Sequence, residues 1–190
     1  IGQNHARIYS ELDSAELVAV YDTGVDRANE ITSKYGGKLT QSIDEFASMV
    51  DAASVATPTT THREIGTILL NSGCHVLVEK PIADSRDDAK ALIDLARAKE
   101  KILQVGHIER FNPVMSQLEA RLDSPKFIES HRLSPFPKRS LDIGVVLDLM
   151  IHDLEIILHL VNSNVQHIDA VGIPVLTHHE DIANARLRFE

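Results

Sequence analysis

The sequence is short of several things. It has a single cysteine, Cys74, among 190 residues, so no disulfide framework can form within the chain, and a reducing compartment suits it. No apolar run approaches the ~18–20 residues that a bilayer-crossing helix needs. The most apolar stretch, Val145 to Val161, is broken by Asp148, His152, Asp153, Glu155 and His159. No charged-then-apolar leader stands at the front. Basic residues number 19 against 28 acidic ones and form no runs. The resulting formal charge of −9 repels phosphate backbones and anionic lipid, which sets aside nucleic acid and membranes as partners. A cytoplasmic location is the expectation. The chain opens on Ile1 and closes on Glu190 within an alternating apolar run, and both ends read as cuts.

What is present is a regular alternation. Short apolar runs at Glu16–Asp22, Ala52–Thr57, His75–Glu79 and Ile102–Val105 read as strands. Helical segments at Asp26–Tyr35, Ser42–Val50, His62–Asn71 and Ser85–Lys99 separate them. Ser42 and Glu45 have the spacing of a capping box. Near-continuous apolar strands alternating with helices of roughly 10–15 residues predict a parallel sheet with helices on both faces, the doubly wound α/β architecture. After Asn112-Pro113 the order changes to a helix (Pro113 to Leu122), a strand (Phe127 to Leu133), a Pro-rich loop (Ser134 to Ser140), a helix (Val146 to Val161) and strands from Val165 on. This predicts two domains: 1–111, and the start of an α+β domain over 112–190 with a mainly antiparallel sheet.

Several residues carry chemistry. Gly2 at a helix start, with Asp22 at a strand end twenty residues on (22 − 2), matches the last part of a dinucleotide fingerprint. A carboxylate there accepts hydrogen bonds from the ribose of NAD and repels the 2′-phosphate of NADP, so NAD is the expected cofactor. Glu79-Lys80-Pro81 follows a strand, at the carboxyl edge where α/β sheets bind ligands, and the ammonium of Lys80 can stabilise a developing alkoxide. Asp148 and His152 are four apart on an otherwise apolar helix, so they share a face. A mostly buried helix carries such a pair only with partners, and histidine is the natural proton acceptor near neutral pH. Gly106 to Pro113 sits at the domain junction, where pockets form. In it Arg110 suits a phosphate, and Asn112 suits a helix cap before Pro113. His178-His179-Glu180 reads as an exposed loop. The stripe Asp148, His152, Glu155, His159 could offer metal ligands, but it lacks the H-E-x-x-H spacing and a cysteine partner, so no metal is expected.

Taken together, these residues resemble the Gfo/Idh/MocA oxidoreductases. Gly2-Gln3-Asn4-His5-Ala6-Arg7 looks like the end of the family's glycine motif. Ala56-Thr57-Pro58-Thr59 with His62 looks like the strand-end segment beside the cofactor. Glu79-Lys80-Pro81 looks like the lysine motif, and Asp148 with His152 like the D-x-x-x-H helix. The stretch Val105 to Pro113 is similar to members that act on nucleotide sugars. The resemblance implies a Rossmann domain whose first strand lies upstream, and a second domain that covers the nicotinamide and often mediates homo-oligomers. It also implies hydride transfer between a sugar carbon and NAD. On that basis Gly2, His5, Asp22, Thr57, Pro58, His62, Glu79 and Lys80 are expected at the cofactor. Lys80, Asp148 and His152 are expected in catalysis, and Arg110, Asn112 and Asp148 at the sugar. The rival readings are an NAD-binding regulator without catalysis and a metal enzyme using the acidic stripe.

Overall fold

The computed structural model describes residues 1–135 and 143–190. The chain divides after Gly106 into two compact units, Ile1–Gly106 and His107–Glu190, five residues ahead of the expected junction (111 − 106). The short 3-10 turn Ile108–Phe111 belongs with the second unit, where Arg110 engages Glu155.

The first unit runs α1 (Gly2–Glu11), β1 (Ala19–Val20), α2 (Val25–Tyr35), β2 (Lys38–Leu39), α3 (Ile43–Ala47), β3 (Ala52–Val55), α4 (His62–Asn71), β4 (His75–Val78), α5 (Arg86–Ala98) and β5 (Leu103–Val105). Every strand pairing is parallel: β1 with β2, β3 with β4, and β4 with β5. These pairs form two parallel sheets, β1-β2 and β3-β4-β5, with the strand–helix alternation of a Rossmann fold. The helices begin where the sequence supplies caps. Ser42 Oγ accepts the Glu45 N–H at 3.1 Å and Ser85 Oγ accepts the Asp88 N–H at 3.1 Å, each satisfying an N–H that has no partner within the helix. The Glu45 carboxylate reaches one residue further back than a capping box requires and accepts the Gln41 N–H at 2.8 Å. The core lies between β3–β4 and helices α4 and α5, and holds Val55, Leu69, Leu70, Cys74, Val76, Val78 and Leu92. Gly66 lets α5 approach α4: a Cβ there would stand 3.0 Å from Leu92 Cδ2.

The second unit contains α6 (Pro113–Glu119), a π-helical turn (Val146–Met150) that leads into α7 (Ile151–Val161), and an antiparallel hairpin of β6 (Val165–Ile173) and β7 (Ile182–Phe189). Three expectations are corrected here. Phe127 to Leu133 is not a strand: it is β-rich in composition, but among the described residues no strand pairs with it, and Phe127 and Leu133 are exposed. The helix from Val146 is not α-helical throughout, because its first five residues form the wider π turn. It is also not deeply buried, since residues 145–161 include no fully buried side chain. The expected Pro-rich loop lies outside the described residues from 136 to 140.

Candidate functional site

The carboxyl edges of the two parallel sheets carry most of the expected residues of the first unit. Asp22 follows β1, Thr57 and Pro58 follow β3, Glu79 and Lys80 follow β4, and Gly106 follows β5. In a parallel sheet this edge is where ligands bind.

Helix α1 leads from Gly2 across the end of β3. A Cβ on Gly2 would meet Ala56 Cβ at 3.6 Å, ordinary contact. The start of α1 therefore lies in ordinary contact with the segment just past β3, with room for a Cβ at Gly2. One turn on, His5 faces inward. Its Nε2 lies 2.8 Å from Glu79 Oε1 and its Nδ1 3.1 Å from Ser54 Oγ, which in turn lies 2.6 Å from the Tyr9 hydroxyl. One consistent direction satisfies all three bonds: Tyr9 O–H to Ser54, Ser54 O–H to His5 Nδ1, and His5 Nε2–H to the carboxylate. The Glu79 side chain is 12% exposed. The His5 hydrogen bond holds its carboxyl below the usual glutamate range against the opposing effect of burial, with help from the backbone N–H and the charge of Lys80. Gly106 makes room for this carboxylate, since a Cβ there would stand 3.1 Å from Glu79 Oε2.

His62 was expected against the cofactor. In the structure the ring is 1% exposed. It lies between two backbone carbonyls, with Nδ1 2.9 Å from Pro81 O and Nε2 2.9 Å from Thr57 O. Both oxygens only accept, so each ring nitrogen that bonds does so as a donor. A neutral ring carries one N–H, so His62 donates to one of these carbonyls and packs against the other, between the segment after β3 and the segment after β4.

At β1, Asp22 Oδ1 accepts the Gly24 N–H at 2.7 Å and Arg27 Nη2 at 2.8 Å. The Arg27 guanidinium holds the Asp22 carboxyl below its usual range, partly opposed by burial. The carboxylate remains half-exposed, and it is at the strand end where an adenosine ribose is held in this architecture. The donor set at these edges, an acidic acceptor after β1 and a helix start beside the end of β3, fits a dinucleotide.

In the second unit, Asp148 sits in the π turn and His152 in the first turn of α7. A residue missed in the sequence, Glu180, fixes the start of this helix from the hairpin loop. Its backbone oxygen accepts the Val145 N–H at 2.8 Å, and its carboxylate occupies the space where a Cβ on Gly144 would stand. An anion at a helix N-terminus is favourable, but Glu180 is 32 residues from Asp148 (180 − 148), and no local pattern announces the contact. Arg132 binds Asp153 with Nε at 2.8 Å, and Ser130 adds a bond to the same carboxylate at 2.8 Å. These bonds outweigh burial and hold Asp153 below the usual aspartate range. They also hold the extended segment 127–133 to α7 without a strand.

Two expected sugar ligands have partners within the unit. Arg110 Nε bonds Glu155 Oε1 at 2.5 Å, and Asn112 Oδ1 caps α6 through the Val114 N–H at 3.0 Å. Glu155 and His159 are engaged elsewhere, Glu155 by Arg110 and His159 by Glu119 at 2.8 Å. Among the described residues no group of three or more His, Cys, Asp or Glu side chains is placed to hold a metal.

The parallel sheets, the strand-end acid and the lysine motif define a dinucleotide-binding oxidoreductase fold. Residues 1–107 match the Gfo/Idh/MocA family, described as an oxidoreductase family with an NAD-binding Rossmann fold. The chain belongs to this family. It is 37% identical over 97% of its length to a UDP-N-acetylglucosamine 3-dehydrogenase from Acidithiobacillus ferrooxidans, of which it covers 59%. The crystal structure of that enzyme superimposes with a TM-score of 0.92 at 36% identity, over 99% of this chain and 62% of the other. An inositol 2-dehydrogenase from Rhodococcus erythropolis is 28% identical over 90% of this chain and 53% of its own. A probable dehydrogenase from Thermotoga maritima matches with a TM-score of 0.86 at 26% identity, over all of this chain and 62% of that one. The chain thus spans about three-fifths of the length of these relatives or less.

Proposed function

We propose that the protein is an NAD-dependent dehydrogenase of a sugar hydroxyl, and that the sugar is carried on a nucleotide. The observation that carries this reading is the placement of Asp22, Thr57, Glu79 and Lys80 just past the carboxyl ends of parallel strands. The second unit, taken by itself, carries Asp148 and His152 four residues apart on one helical segment. When bound, a nicotinamide cofactor supplies the hydride acceptor. Asp22 accepts hydrogen bonds from the adenosine ribose, while Gly2 and the start of α1 receive the pyrophosphate. His152 takes the proton of the reacting hydroxyl. Lys80 stabilises the oxygen as negative charge grows on it, and Asp148 orients the sugar. The choice of a nucleotide sugar rests on the 37% identity to the A. ferrooxidans enzyme. The expected homo-oligomer is part of the same proposal.

The test follows NAD reduction at 340 nm by the full-length protein with UDP-N-acetylglucosamine, other UDP-sugars, free sugars and inositols. Base catalysis supplies about 10²–10⁴-fold, so His152→Ala is expected to lose at least about 10²-fold in kcat while it still binds NAD. Near-normal turnover in that variant removes His152 from the role. Turnover of inositols with none of UDP-sugars overturns the substrate class.

A further inference from the structure

Lys80 is flanked in sequence by two residues that different helices hold through histidines. On the amino side, His5 of α1 bonds the Glu79 carboxylate at 2.8 Å, and that carboxylate accepts the Lys80 backbone N–H. On the carboxyl side, His62 of α4 faces the Pro81 carbonyl at 2.9 Å. Both histidines also reach the neighbouring strand β3: His5 meets Ser54 within it, and His62 meets Thr57 just past its end. The three-residue segment Glu79-Lys80-Pro81 therefore has a fixed point on each side of its central residue, each tied back to β3. A lysine side chain has four rotatable carbons and a compact charge, so the placement of its ammonium depends on a backbone held at both ends.

We infer that His5 and His62 are positioning residues for Lys80, acting through Glu79 and Pro81, and that neither is a contact for the cofactor. The inference deepens the proposed function and rests on Lys80 as the group beside the reacting oxygen. A misplacement of about 1 Å can cost 10²-fold in rate, so losing one anchor should lower kcat with little change in the KM for NAD.

Side-chain amides can replace one histidine nitrogen at a time. The glutamine amide nitrogen falls where Nε2 stood, and an asparagine amide nitrogen where Nδ1 stood. At position 62, Asn keeps the bond to Pro81 and Gln keeps only the bond to Thr57. At position 5, Gln keeps the bond to Glu79 and Asn keeps only the side facing Ser54. The four variants of the full-length protein are compared by ¹³C NMR of reductively methylated lysines, with the Lys80 signal assigned by its loss in Lys80→Met, and by kcat and KM for NAD. The expected result is a Lys80 signal and a kcat close to the parent's in His62→Asn and His5→Gln. In His62→Gln and His5→Asn, a displaced signal and about a tenfold or greater loss of kcat are expected. Equal effects of both amides at each position, or an unmoved Lys80 signal in all four variants, overturn the inference. If one position does not tolerate its pair, the pair at the other decides. Normal turnover in Lys80→Met instead removes the catalytic reading, and the NMR comparison still reports whether the histidines fix the lysine.

Discussion

Replacing Asp22 by Ser should change which nicotinamide cofactor the protein prefers. In the structure one Asp22 oxygen already serves the Gly24 N–H and Arg27, while the carboxylate as a whole stays half-exposed. A hydrogen bond to a charged group contributes ~1.5–3 kcal/mol. Exposure and the shared oxygen place this one at the low end, so loss of the ribose contact is expected to weaken NADH by about tenfold. For NADPH the sign reverses, because the carboxylate that repels the 2′-phosphate is gone and Arg27 is left beside it. The ratio of the two dissociation constants should therefore move toward NADPH by more than about tenfold. Arg27→Ala should move it the other way, because Asp22 then faces the phosphate without its counter-charge. The chain has no tryptophan, so titrations can follow the emission of the reduced cofactor with little protein fluorescence beneath it. An unchanged ratio in Asp22→Ser, or a parent that binds NADPH more tightly than NADH, refutes the placement of the ribose at Asp22.

Other outcomes follow from the same geometry. Because the folded state lowers the Glu79 pKa, its stabilisation is complete above the ordinary glutamate range and is lost as pH falls through the lowered value. The difference in urea midpoint between the parent and Glu79→Gln should therefore be largest near neutrality and shrink on acidification; a gap that widens in acid contradicts the His5–Glu79 pairing. Leu92→Ala opens a cavity beside Gly66 and should cost ~2–5 kcal/mol in denaturant unfolding, whereas a loss below ~1 kcal/mol would mean that α4 and α5 repack. Gly144→Ala forces the Glu180 carboxylate from the start of the π turn. Hydrogen exchange over residues 145–150 should then quicken, and unchanged protection would show that Glu180 does not hold that helix.

The Rossmann unit was largely legible because its signals are local. Helix α4 runs from His62 to Asn71 as its apolar period and the glycine just beyond it indicate, and Ser42 caps where expected. The strand-end positions of Asp22, Thr57 and Lys80 followed from the same alternation of elements. What the sequence hid depends on partners far along the chain. Phe127 to Leu133 has strand composition, but a strand needs a neighbour to bond, and its attachment is made by Ser130 and Arg132 to Asp153 instead. The two-residue β2 is too short to show a period. His62 has the motif spacing of a cofactor contact, and its burial between two carbonyls shows only in the structure. Glu180 appeared to belong to an idle loop, because nothing near it in sequence marks the helix start it caps.

The widened turn at Val146–Met150 carries one residue more than an α-helix would fit into the same rise. Removing one residue there would let the turn tighten to α geometry while the turns on either side keep nearly their present orientation. Asp148 lies inside the turn and His152 beyond it, so their mutual direction is set by a single surplus residue. A deletion at 146 or 147 keeps the pair four apart and should be tolerated, whereas one at 149 or 150 leaves them three apart and should turn one side chain away from the other.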